Sequence, residues 1–573
     1  MDGLQDLVVR TNFSPFDWAI IVVFLIVSTA LGLWSKRYMK SMTDYAVAGR
    51  AVKPFLGTAS IIAAEMGLVT VMYSAQKGFS NGFAAFHIAL VAAIVSLIVG
   101  LTGFIIVPLR RTRVMTIPEF YEQRFGKGVR LTGGAILAFS GILNMGMFLK
   151  ADSLFVTSVM GIFSDFELKI AMTVMLALVL GYTVMGGMIA VLVTDYMQFV
   201  VMAIGLVVTS VFLMGQYGWS DILSTVQTVR GDAGFNPFDQ EGFGGAYVLW
   251  MVFLSLIGCC IWQTSVMRAS SAEDEKVVRR TFALGSVGFL IRFLVPYFWG
   301  ICAIVYIYQR PELARIFLGS GEAVKSDVTL RAMPVALSNL LPAGAIGVLT
   351  AGMLAAAMST YNTYLHCWST VLTQDVVAPL ARREMSSRSR IYSARILMVL
   401  IGIFLLVWGL WYPLGEDLWD YMAVTGAIYF TGAFAVLLTG IYWPRASRTG
   451  AYAAFVCGFL AVAGLSPVQK VLGVQWRSEY VGLFTAALAL TSMVGGSLMF
   501  PDGIGWKRAR WRLAGLAAFG ALISLAVTAS WETLWTVLWL VGLAIFTVLA
   551  AVVTVGGAKD LVSLLQNLSS GGK

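Results

Sequence analysis

Stretches of about 20 apolar residues recur along this chain from residue 17 to residue 556, each long enough to cross the hydrocarbon core of a bilayer as a helix. Lipid offers backbone amides no partners, so only helices or closed barrels span it. The runs are rich in Leu, Ile, Val, Ala, Gly and Phe without alternation, which selects helices. Hydrophobic residues fill 58% of the 573 positions and charged residues 12%, against about 25% charged in a soluble domain. The chain therefore reads as an all-α polytopic membrane protein. Hydropathy predicts about fifteen transmembrane helices, near 17–35, 54–76, 83–109, 131–161, 168–185, 188–214, 245–267, 279–308, 334–372, 391–412, 418–442, 449–466, 479–499, 512–530 and 533–556.

Charge sorts the connecting loops. Arg110, Arg111, Arg113, Arg124, Lys127 and Arg130 fall in one loop, and Arg268, Lys276, Arg279 and Arg280 in another. Arg382, Arg383, Arg388 and Arg390 share a third, followed by Arg445 with Arg448, then Lys507, Arg508, Arg510 and Arg512. All lie on one side of the predicted spans, which the positive-inside rule makes cytoplasmic. Loops on the other side, such as 215–244, carry Asp221, Asp232, Asp239 and Glu241. The net charge of +10 is then a matter of topology, and nucleic-acid binding is the weaker reading. Asp2, Asp6 and Asp17 precede the first apolar run and Lys36, Arg37 and Lys40 follow it, so it reads as a retained helix with its N-terminus outside rather than a cleaved signal. The C-terminus is then expected in the cytoplasm, and the compactness of the chain suggests a plasma membrane of the bacterial inner-membrane kind. The soluble segments are short and no nucleotide-binding motif occurs. Either an ion gradient supplies energy or conduction is passive.

Ionisable groups in the bilayer interior are costly, so each is a functional hypothesis. Glu65, Lys150, Asp152, Asp195 and Arg292 stand out, with His87 and His366 as milder cases. The competing readings are snorkelling from a helix end and pairing that only joins helices. The five comprise three acids and two bases, so one or two monovalent cations would bring the interior close to neutral. Within 334–372, Ala355-Ala356-Ala357-Met358-Ser359-Thr360 joins small residues to adjacent hydroxyls. Small residues suit close helix packing, and neighbouring hydroxyls with freed carbonyls suit a hard cation; both readings stand. In 54–76, Glu65 lies beside Met66-Gly67, which suits a broken helix that exposes carbonyls near the midplane. Gly258, ahead of Cys259-Cys260-Ile261-Trp262-Gln263-Thr264, marks a second expected break. The two spans are five helices apart and antiparallel, as an inverted repeat requires.

Several segments together resemble the sodium/solute symporter family. They are Asp44-Tyr45-Ala46-Val47-Ala48-Gly49-Arg50; Thr116-Ile117-Pro118-Glu119-Phe120 with Arg124-Phe125-Gly126; Gly186-Gly187 with Thr194-Asp195 and Gln198; Met358-Ser359-Thr360 with Asp375; and Gly440-Ile441-Tyr442-Trp443-Pro444-Arg445 with Gly450-Ala451. The resemblance implies a LeuT-type fold with a five-plus-five inverted-repeat core, one leading helix and about four trailing ones. The expected division is a leading helix and loop (1–53), a first repeat (54–215), an inverted second repeat (216–444) and accessory helices (445–573).

By position, the resemblance implies a main Na+ site of carbonyls from Ala63, Met66 and Ala356 with hydroxyls from Ser359 and Thr360. Glu65 falls where sodium–proline members carry an acid important for sodium, here one carbon longer. A second sodium site, or an exit path, would use Asp195, Asn362 and Thr363, where the family's sialic-acid members carry paired serines. The solute pocket departs from the sugar-transporting members: Thr70 and Arg292 replace their glutamine and lysine, Lys150 their asparagine, and Ala89 their glutamate. Glu65, Thr70, Lys150, Trp262, Gln263 and Arg292 make the expected solute and coupling set. Two cations there would favour a carboxylate.

The expectation is a sodium-coupled symporter of a small organic solute, with a carboxylate or amino acid favoured, working by alternating access in the lipid bilayer. Its ligands would be solute and Na+, with no nucleic acid and no obligatory protein partner. Proton coupling on the same fold, a sugar or polyol solute, a transporter-like sensor and a channel are the alternatives. An enzyme reading finds no nucleophile–base or metal-ligand set.

Overall fold

The computed structural model describes residues 11–35, 42–184, 188–239, 243–319, 324–381, 384–412 and 417–502. Lys36, Arg37, Lys40, Gly186, Gly187, Glu241, Arg382, Arg383, Lys507, Arg508, Arg510, Arg512 and the expected spans 512–530 and 533–556 lie outside the described residues. The chain divides into Met1–Pro501 and Asp502–Lys573, and every helix described here belongs to the first unit.

The principal helices are α1 (Pro15–Ser35), α2 (Pro54–Glu65), α3 (Leu68–Asn81), α4 (Phe86–Thr102), α5 (Lys127–Met145), α6 (Phe148–Val159), α7 (Asp165–Thr183), α8 (Met188–Gln216), α9 (Gly245–Ile261), α10 (Gln263–Ser271), α11 (Glu275–Tyr308), α12 (Ser326–Leu340), α13 (Ala345–Val371), α14 (Ser387–Trp411), α15 (Leu418–Tyr442), α16 (Arg448–Phe459) and α17 (Ser478–Met499). Eight helical stretches among the described residues are long and apolar enough to cross a membrane, or ten if each bent pair counts as one span. This is fewer than the fifteen spans expected. Part of the difference is physical: the expected span 54–76 is two short helices, and α13 carries too many hydroxyls and amides to qualify by hydropathy. The expected 334–372 span divides at residues 341–344, and the loop 215–244 contains a further helix, Trp219–Arg230. Large apolar side chains on the outside, such as Val22 and Ile26 of α1, Val207 and Val211 of α8 and Leu400 and Ile403 of α14, give the unit a lipid-facing surface.

Two helix breaks shape the interior of the unit. Pro54 opens α2 at a position where its missing N–H costs nothing. The helix stops at Glu65, Met66 leaves helical geometry (φ −99°, ψ 58°), and Gly67 is extended (φ −68°, ψ 160°) before α3 begins. Its last carbonyls therefore have no amides ahead of them. The second break falls at Trp262 (φ −68°, ψ 127°), bending α9 and α10 by 41°, not at Gly258 as expected. Gly258 stays helical with open space beside it, and glycine is common in membrane helices. At Trp262 the indole Nε1 donates to the Tyr364 hydroxyl (3.0 Å) and the ring packs on Trp368 and Phe430.

The start of the first broken pair is joined to the end of the second: Val52 and Ala272 form an isolated parallel bridge, with Val52 N–H donating to the Ser271 carbonyl (3.1 Å) and Glu273 N–H to the Val52 carbonyl (3.0 Å). Helix α11 crosses α3 at backbone distance, since a Cβ on Gly300 would lie 2.0 Å from the Ala75 carbonyl and one on Gly78 2.2 Å from that of Tyr297. The basic loops meet at one end of the unit. Arg110 donates to the Ala272 carbonyl, Arg111 pairs with Glu275, Arg124 donates to the Pro444 carbonyl, and Arg130 pairs with Asp375. Thr116 also donates to Asp375 (3.0 Å), so two segments far apart in sequence share one buried carboxylate.

Candidate functional site

The α2–α3 break packs directly on α13. Thr360 Oγ1 donates to the Ala64 carbonyl (3.1 Å), and a Cβ on Gly67 would lie 2.4 Å from that hydroxyl oxygen. Glycine is therefore required at this position for the break to sit this close to α13. Ala63, Met66, Ala356, Ser359 and Thr360 are all buried in this neighbourhood. Ser359 Oγ donates to Asp195 Oδ1 on α8 (2.7 Å). Hydroxyls and freed carbonyls are the hard neutral oxygens that a small monovalent cation takes.

Beside the break lies a cavity of about 120 Å3, where one water takes about 10–15 Å3 on the same measure. Glu65, Thr70, Tyr73, Trp262, Arg292 and Trp419 line it. Arg292 Nη1 donates to Glu65 Oε2 (2.8 Å) and the Thr264 hydroxyl to Glu65 Oε1 (2.9 Å). The guanidinium carbon stands 4.6 Å and 4.2 Å from the ring centres of Phe289 and Phe293, a cation–π arrangement. Two buried donors at this wall have no protein acceptor, Arg292 Nε and Trp419 Nε1. Orphaned donors of this kind point to an absent acceptor.

Lys150 and Gln263 do not line the cavity. Lys150 Nζ is 3.7 Å from Asp327 Oδ2. Gln263 accepts from Ile117 N–H (2.9 Å) and donates to the Met115 carbonyl (3.4 Å), pinning the second break to the loop ahead of the helix Ile117–Phe125. The cavity wall thus carries one arginine, paired with Glu65, rather than the two cations expected to favour a carboxylate.

Asp195 and Thr363 do come together, but around a group that the loop count had assigned to the surface. Arg268 is 4% exposed, on α10. Its Nη2 donates to Asp195 Oδ2 (3.1 Å) and Thr363 Oγ1 (2.9 Å), its Nε to Ser60 Oγ (3.0 Å), and its Nη1 to the Thr264 carbonyl (3.2 Å). Asn362 Nδ2 donates to Thr194 Oγ1 (3.3 Å). Lys77, one residue past the expected span 54–76, is also buried and pairs with Asp417 (2.9 Å) and Asp420 (3.2 Å) at the opposite end. Both cations had a sequence signal: each lies within a turn of its expected span end, and intramembrane acids need counter-charges.

The sodium:solute symporter family model matches residues 45–458. Sodium/glucose cotransporter 1 of Oryctolagus cuniculus is 26% identical over 490 residues, covering 78% of this chain and 70% of that protein. The high-affinity proline transporter PutP of Bacillus subtilis (strain 168) is 24% identical over 456 residues, covering 76% and 90%. A solved Na+-coupled sialic acid symporter, substrate-bound and outward-open, superposes with a TM-score of 0.72 at 20% identity, covering 85% of this chain and 99% of that one. The likeness establishes a LeuT-like fold in an integral membrane protein. With a family match over well over half its length, the chain belongs to the sodium:solute symporter family, and sodium is its coupling ion.

Proposed function

We propose that this chain is a symporter that carries a small zwitterionic solute, of the amino-acid class, with sodium. The observation that carries the reading is the pairing of Glu65 with Arg292 at the cavity wall beside a broken helix. The pair makes the wall close to neutral, so a solute without net charge fits it. Arg292 Nε, without a protein acceptor, suits a carboxylate, and Glu65 suits an ammonium. Tyr73, Trp262 and Trp419 supply an aromatic enclosure for the rest of the solute. The transport of proline by one relative agrees with this class. A sugar or polyol is the second reading: the same neutral, aromatic wall suits it, and other relatives carry glucose and myo-inositol.

Sodium would be held by the Ala63, Met66 and Ala356 carbonyls with the Ser359 and Thr360 hydroxyls. Its binding would draw the α2–α3 break onto α13 and so organise the neighbouring solute cavity. Coupling is then a difference in sodium affinity between the state that accepts solute and the state that does not. Release would follow rocking of residues 54–215 and 216–444, as inverted repeats, about the site. Residues 445–573 would be accessory. The end where the basic loops gather would face the cytoplasm, by the positive-inside rule, in a bacterial inner membrane.

The test is thermal stabilisation of the purified protein by amino acids, sugars, polyols and simple carboxylates, in sodium and in potassium. An amino acid that raises the melting temperature only in sodium is expected. A sugar acting alone in that way would replace the solute class, and equal stabilisation in both salts would overturn the sodium site. Accumulation of the hit against its gradient in sodium-free vesicles given sodium on the outside separates transport from sensing and from a channel.

A further inference from the structure

The resemblance to members with two sodium sites puts a second cation at Asp195, between Asn362 and Thr363. The side chains present do not fit that ion. Arg268 Nη2 lies 3.1 Å from Asp195 Oδ2 and 2.9 Å from Thr363 Oγ1, so it already bridges two of the three residues the ion would need. Asp195 Oδ2 also accepts from Ser60 Oγ (2.5 Å) and Oδ1 from Ser359 Oγ (2.7 Å). The amide of Asn362 donates to Thr194. Asp195 is fully buried and Arg268 nearly so. A guanidinium stays protonated in proteins, so Asp195 has a full positive charge against it. A sodium ion arriving there would meet that charge and displace hydrogen bonds that already use all three guanidinium nitrogens.

We propose that Arg268 is a tethered cation occupying the second ion position, and that the protein binds one sodium ion per chain. The proposal rests on the main-site reading above, which assigns that ion to Ser359 and Thr360. It makes Arg268 the residue that sets ion stoichiometry. The positive charge a second sodium would deliver is built into α10, and it does not leave with the solute.

The experiment counts bound 22Na+ on the purified full-length chain by equilibrium binding, with choline chloride holding ionic strength. One ion per chain with a Hill slope of one is expected, lost in Ser359→Ala/Thr360→Ala. Arg268→Ala uncovers Asp195 and should raise the count to two; adding Asp195→Asn to it should restore one. Two ions on the native chain would overturn the proposal and leave the main site standing, whereas none would overturn the main site itself. A count that stays at one in Arg268→Ala would overturn the tethered-cation role. Should Arg268→Ala not survive purification, Arg268→Gln/Asp195→Asn removes both charges together. One ion must remain there, and a fall to zero would mean that Asp195 had held the only sodium.

Discussion

Glu65 and Asp195 are both acids in the membrane interior, and an arginine holds each at similar distance, 2.8 Å from Arg292 and 3.1 Å from Arg268. Their surroundings differ. The Glu65 and Arg292 side chains keep 13% and 16% of their surface, stand at a cavity wall, and leave Arg292 Nε without an acceptor. Asp195 and Arg268 keep 0% and 3%, and every guanidinium nitrogen has a partner. A saturated, sealed pair rigidifies four helices, α2, α8, α10 and α13; an unsaturated pair beside a cavity is left with bonding capacity for something that comes and goes.

The sharpest way to break this contrast is to remove one partner from each pair. Asp195→Ala strands a buried guanidinium without its counter-charge, a situation that typically costs about 3–5 kcal/mol. Glu65→Ala leaves Arg292 against two aromatic faces and an open cavity, so its cost should be far smaller. Thermal melting of both variants in detergent is the measurement. Equal losses would mean that the two pairs do the same structural job, and the distinction drawn above would fall.

The two glycines that suggested helix breaks form a second contrast. A methyl at Gly67 meets Thr360 Oγ1 at 2.4 Å, whereas one at Gly258 meets nothing within 4 Å. Gly67→Ala should therefore raise the sodium concentration for half-maximal binding at least tenfold, about 1.4 kcal/mol, by pushing the break off α13. Gly258→Ala should leave it unchanged. A silent Gly67→Ala would show that the break and Thr360 do not cooperate in holding the ion.

These cases also show what the amino-acid order alone revealed. The first break was legible because an acid and a glycine in mid-span both disfavour an unbroken apolar helix. The second was displaced by four residues, because a glycine in a membrane helix carries little information and the extended Trp262 depends on Tyr364, more than a hundred positions away. Hydropathy put α15 at its observed limits, since that helix is apolar beyond its first turn, and missed the division of 334–372, where a short turn interrupts an apolar stretch. Arg268 was hidden for a topological reason. Charge counting assigns an arginine at the edge of an apolar run to the loop, and only the bend at Trp262 brings its side chain to Asp195. Gln263 was misleading in the opposite sense: a polar residue at a break looks solute-facing, but its amide satisfies backbone groups at Met115 and Ile117.

The remaining contrast is between the cations once assigned jointly to the solute. Arg292→Lys keeps the charge near Glu65 but gives up the planar fork and the unpartnered Nε. Half-saturation for the solute should rise about tenfold while sodium binding without solute stays within about twofold.

Lys150→Gln should do least. The Lys150–Asp327 separation of 3.7 Å is long, Asp327 keeps 30% of its side-chain surface, and neither residue lines the cavity. Such partly exposed pairs contribute about 0–1 kcal/mol. Solute half-saturation and maximal uptake should both stay within about twofold of the native protein in vesicles. A tenfold loss of solute affinity would bring Lys150 back to the solute in some state of the cycle. The site would then hold two cations against one acid, and a carboxylate anion would replace the zwitterion as the better solute.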